Sequence, residues 1–78
     1  MDQRNLGVRI QALRKGMGLS LQKVADGVGV SKNSIYKWEN NEAVPHAKNL
    51  SKLAELFQVE PAYLAFGVVR MKPAHEEL

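Results

Sequence analysis

Four neighbouring side chains concentrate the chemistry available to this chain: Lys32, Asn33, Tyr36 and Lys37. If Ser31 caps a helix there, all four share the face opposite Ile35 and Trp38, and their polar groups stand together in solvent. An ammonium can donate to O6 and N7 of guanine, and a carboxamide can pair bidentately with adenine. The same residues would serve equally as a solvated polar face, so residue type alone leaves both readings open. Other chemistries find fewer materials. There are no cysteines, which removes disulfides and thiolate ligands and fits a reducing cytosol. His46 and His75 stand far apart and supply too few ligands for a metal site, so we expect surface side chains, no metal and no cofactor. No Ser/His/Asp, Cys/His or paired-carboxylate set is present, so no enzyme is expected.

The charge is unevenly spread. Residues 1–40 hold seven Lys/Arg against three acids, whereas residues 41–78 hold four against five, so the whole excess of +3 originates in the first half. That asymmetry suits a half that meets a polyanion, although chance scatter would also produce it. Seventy-eight residues with a 45% apolar share make one small folded domain. No run of about eighteen apolar residues is present, and the first five residues do not resemble a secretion signal, so a cytoplasmic protein without a membrane partner is expected.

These side chains must be positioned by helices. Leu6, Ile10 and Leu13 recur at helical steps, and Gly16-Met17-Gly18 stops that first helix. Ser20 caps a short second helix with Leu21, Val24, Ala25 and Val28 inside, Gly29 breaks it, and Val30 turns back inward. Ser31 caps a third helix with Ile35 and Trp38 inside, ended by Asn40-Asn41. Beyond Pro45, the stripe Ala47, Leu50, Leu53, Ala54 and Phe57 predicts a fourth helix, a core stripe rather than a ligand pocket. Pro61 opens a fifth, and Gly67 closes the compact part. The prediction is an all-α, five-helix domain over residues 1–67 with a tail or linker at 68–78.

The run LQKVADGVGVSKNSIYKWEN at residues 21–40 resembles the helix-turn-helix of the Cro and lambdoid-phage-repressor family, also called XRE-like. Ala25 is small where two helices cross closely, Gly29 takes the tight turn, and Val24, Val28, Val30, Ile35 and Trp38 lock the pair. Arg14, Leu19, Trp38-Glu39-Asn40, Pro45 and the later Leu50, Leu53-Ala54 and Phe57 extend the resemblance over residues 6–66. Two positions depart from the pattern. Leu21 stands where Gln commonly touches the DNA backbone, so either Gln22 takes over that contact or it is absent. Asn41 replaces the usual Gly and tolerates a left-handed conformation.

The resemblance implies a lambda-repressor-like fold and a transcriptional regulator that lays the third helix in the major groove of double-stranded DNA. It implies base reading by Lys32, Asn33 and Lys37, with Tyr36 on a thymine methyl or a phosphate. It implies backbone contacts by Gln22, Ser31, Asn40 and Lys23, and an Arg14–Glu39 structural ion pair that leaves one edge of Arg14 for a phosphate. A protein-interaction module or antitoxin could share this fold, but an acidic third helix would favour that job and this one is basic. No small-molecule ligand is indicated. Family members of this kind pair two copies on a palindromic operator, as repressors often do, with the fifth helix as the two-fold contact. Tyr63, Leu64, Phe66, Val68, Val69 and Met71 exceed what one short helix can bury, so Tyr63 and Phe66 are expected in a homodimer contact. The competing account has those two rings capping the core and the rest in the tail.

Overall fold

The computed structural model describes residues 3–67, with side chains from residue 6 onward. Five α-helices and no strand occur among them: α1 Gln3–Gly16, α2 Leu21–Val28, α3 Lys32–Glu39, α4 Ala47–Phe57 and α5 Pro61–Phe66. Helix α1 packs on α3 and α5, α2 on α3 and α4, and α4 on α5. Their apolar stripes meet in one core, built from Leu6 and Ile10, Val24, Ala25 and Val28, Ile35 and Trp38, Leu53, Ala54 and Phe57, and Leu64. Eight-residue helices such as α2 and α3 are too short to persist alone, so this shared burial is what keeps them folded. The tail expected at residues 68–78, with Val68, Val69 and Met71, lies outside the described residues.

Local chemistry explains the helix boundaries. Ser20 Oγ accepts from the Lys23 amide at 3.0 Å, and Ser31 Oγ accepts from the Ser34 amide at 3.1 Å. Each serine satisfies a donor that the first helical turn cannot.

The first four helices end by one device. A residue one or two positions beyond the helix turns left-handed, and the next amide reaches back to a carbonyl five residues earlier. Gly18, Gly29, Asn41 and Gln58 take the left-handed position, with φ of 69°, 88°, 60° and 59°. The returning amides are Leu19 to Arg14, Val30 to Ala25, Glu42 to Lys37, and Val59 to Ala54, at 2.8–3.0 Å. Leu19, Val30 and Val59 then pack against the core, which gives Val30 its inward turn. Glycine reaches this conformation freely. Gln58 does not, and nothing in its residue type signals the stop; the burial of Val59 imposes it.

A second feature is Gly7, inside α1. A Cβ there would fall 2.5 Å from the Glu39 carbonyl oxygen and 2.8 Å from that of Trp38. Helix α1 therefore crosses the end of α3 at backbone contact, a distance that only glycine permits.

Candidate nucleic-acid interface

Helix α3 is divided into two faces. Ile35 is fully buried, Trp38 nearly so, and Glu39 is buried with them. Lys32, Asn33, Tyr36 and Lys37 are exposed on the other side, with Tyr36 at 49%. The 32/36 and 33/37 pairs are one helical turn apart, so the four form a single patch. Lys32, Asn33 and Lys37 have no side-chain hydrogen bond or ion pair among the described residues. Their donors are free, and the helix beneath them is fixed.

Glu39 is the anchor of that fixity. Arg14 Nε donates to Glu39 Oε2 at 2.6 Å and Arg14 Nη2 donates to Oε1 at 3.1 Å, a bidentate pair. Gln11 Nε2 adds a longer bond to Oε1 at 3.4 Å. Arg14 Nη1 also donates to the Leu19 carbonyl at 3.0 Å, so three of the five guanidinium N–H donors are used inside the protein. The Arg14 and Glu39 side chains are 12% and 3% exposed. One guanidinium thus ties α1, the turn before α2 and the end of α3 into one body, and a flat fork does this better than a flexible ammonium.

The expected backbone-contact residues surround this patch, and most already have partners. Gln22 is exposed and donates to Asp26 Oδ1 at 2.9 Å, an i,i+4 bond on α2. Such a surface bond contributes only about 0.2–0.5 kcal/mol, so exchanging it for a phosphate is cheap. Ser31 Oγ lies 3.0 Å from Ser34 Oγ as well as holding the cap. Asn40 Nδ2 donates to the Tyr36 carbonyl at 2.8 Å, and Lys23 is exposed. Leu21 is half-buried against the core, so the first position of α2 presents no polar group outward.

At the far end of the chain, Phe66 is 57% exposed while Tyr63 is half-buried and Leu64 is fully buried. The two rings therefore differ: Tyr63 is partly used by the fold, and Phe66 is mostly bare. Val8 on α1 is also bare, at 60%. Arg9, which residue type alone did not single out, reaches from α1 to α5, where its Nε donates to the Leu64 carbonyl at 2.9 Å. Two further observations bear on roles set aside earlier. His46 is exposed at the start of α4 and makes no side-chain cap bond. Among the described residues no helix is long and apolar enough to cross a membrane.

Comparison with known proteins gives a consistent result. A helix-turn-helix family model (HTH_3) matches residues 10–64. Repressor protein C2 of Salmonella phage P22 is 36% identical over 67 residues, covering 86% of this chain and 31% of that protein. The HTH-type transcriptional regulator DicA of Escherichia coli (strain K12) is 32% identical over 69 residues, covering 86% of this chain and 51% of that one. The chain thus spans about a third to a half of these relatives' length. The crystal structure of the P22 c2 repressor in complex with a synthetic operator superposes with a TM-score of 0.79 at 36% identity, covering 81% of this chain and 96% of that one.

Proposed function

The chain belongs to the helix-turn-helix (HTH_3) family, and from that premise we propose that it is a cytoplasmic, sequence-specific binder of double-stranded DNA that regulates transcription, of the phage-type or bacterial repressor kind. The observation that carries this reading is the unpartnered patch of Lys32, Asn33, Tyr36 and Lys37 on a helix whose opposite face is locked. Groups that must read base edges have to be free before binding and held by something rigid, and both conditions are met. The relative's complex with a synthetic operator supports the choice of ligand.

In this account α3 enters the major groove N-terminus first. Asn33 pairs with an adenine edge, Lys32 and Lys37 donate to guanine, and the Tyr36 ring covers a thymine methyl or its hydroxyl meets a phosphate. Gln22, Lys23, Ser31 and Asn40 hold the flanking phosphates and fix the register. One helix of this length covers only a few base pairs, so two copies act together on a palindrome, joined through α5 at Tyr63 and Phe66. No catalytic step is part of this function.

Selection of bound duplexes from a random pool tests the proposal. The expected outcome is an enriched site with two-fold symmetry, bound with a log–log salt slope of about −4 to −8 per dimer. A pool that stays unenriched, or a flat salt slope, overturns it.

A further inference from the structure

Arg9 joins α1 to the end of α5. Its Nε donates to the Leu64 carbonyl at 2.9 Å. Its Nη2 is sealed from solvent without a hydrogen-bond partner, the one buried side-chain donor so placed among the described residues. At Gly67 an added Cβ would fall 2.8 Å from Arg9 Nη1, so the end of α5 is seated directly against the guanidinium.

Helix α5 needs such a support. It is six residues long, its N-cap Glu60 makes no side-chain cap bond, and its C-terminus is closed by a single Gly67 amide to the Tyr63 carbonyl. Leu64 supplies one of the last-turn carbonyls that a helix leaves open, where a cation is also favoured by the helix dipole. A methionine at position 9 would give a stem of similar reach without sealing an unpaired N–H away from water, but it would forfeit the bond to the Leu64 carbonyl that holds α5. The arginine gives geometry instead: a charged donor fixed on the turn of α5 that carries the exposed Phe66.

We propose that Arg9 is a positioning residue for the contact with a second copy of this chain, setting the pose in which α5 presents Phe66 and Tyr63. This rests on the reading of α5 as the two-fold contact. The Arg9 guanidinium is engaged at α5 and is not part of the α3 patch, so it acts on pairing and not on base reading.

The test compares the full chain with Arg9→Met and Arg9→Lys on the selected palindrome and on a duplex carrying one half-site. Hydrogen exchange of the Leu64 and Gly67 amides is followed in parallel. Arg9→Met is expected to keep half-site affinity within about twofold and to lose about tenfold in cooperativity, the factor that one lost charge-assisted hydrogen bond carries. Exchange protection in α5 falls with it while α2 and α3 keep theirs. Arg9→Lys, which retains a charged donor, recovers part of both. Should Arg9→Met fail to fold, Gly67→Ala perturbs the same contact from the other side, and the same loss of cooperativity is expected. Cooperativity and α5 protection unchanged in Arg9→Met would overturn the inference, as would identical behaviour of the Met and Lys variants, because only the stem would then matter. Non-cooperative binding by the wild-type chain would remove the two-fold reading itself and the purpose assigned to Arg9 with it, whereas base selectivity would survive.

Discussion

Breaking the Arg14–Glu39 pair from each side should cost more than removing it whole. Glu39→Gln leaves a guanidinium whose side chain is 12% exposed facing a neutral amide, and Arg14→Met leaves a carboxylate at 3% exposure facing a thioether. Removing one partner of a buried pair typically costs about 3–5 kcal/mol, because the survivor is neither solvated nor compensated. The residual exposure of Arg14 puts Glu39→Gln at the lower end, about 3 kcal/mol, and Arg14→Met near 4. Independent effects would sum to about 7 kcal/mol, as much as a domain of this size has to lose. The double variant has no orphaned charge, so its loss should be smaller than that of either single change, below about 3 kcal/mol. Urea unfolding followed by Trp38 fluorescence reports this, since the indole is only 6% exposed in the fold. Thermal melts provide a second measure, at about 4–8 °C per kcal/mol for a domain this small. Additivity within about 0.5 kcal/mol would show that the two side chains act independently and that the bidentate geometry contributes nothing.

Other consequences follow from the same geometry. Gly7→Ala gains helix propensity but drives a methyl to 2.5 Å from the Glu39 carbonyl, so we expect a net loss of about 1–3 kcal/mol in chemical denaturation. Gln58→Gly should stabilise by about 1 kcal/mol, because φ of 59° costs glutamine what glycine does not pay; an unchanged denaturation midpoint would count against the account of the α4 stop. Ile35→Ala removes a fully buried side chain from under the exposed patch and should cost about 2–5 kcal/mol in stability. Its DNA affinity should fall accordingly at temperatures near its melting point and recover on cooling.

The parts of this fold that were legible in the sequence are those written in local chemistry. Ser20, Ser31, Gly18, Gly29 and Pro61 each solve a backbone problem within four or five residues, so residue type and position suffice. The orientation of α3 was equally legible, because Ile35 and Trp38 fix a face by helical period alone. The rest depends on partners distant along the chain. Arg9 bonds a backbone carbonyl 55 residues away, and a carbonyl leaves no trace in residue type. The αL geometry of Gln58 comes from the burial of Val59. Gly7 did carry a signal, a glycine inside a helix, which marks either a weak point or a close approach. For the interface, Lys32, Asn33, Tyr36 and Lys37 could be placed on one exposed face from spacing, while their pairing with particular bases comes from resemblance. The Arg14–Glu39 pair also comes from resemblance, whereas the internal bonds of Gln22 and Asn40 and the Arg14 bond to the Leu19 carbonyl became visible only in three dimensions.

The central claim is that Asn33 reads a base from a rigid helix while Gln22 only grips the backbone. The most direct measurement is the affinity of Asn33→Ala and Gln22→Ala for the selected site and for random duplex at one salt concentration. The account predicts that Asn33→Ala loses about 1–3 kcal/mol on the selected site and little on random DNA, whereas Gln22→Ala weakens both alike. An unchanged ratio of selected to random affinity in Asn33→Ala would contradict it.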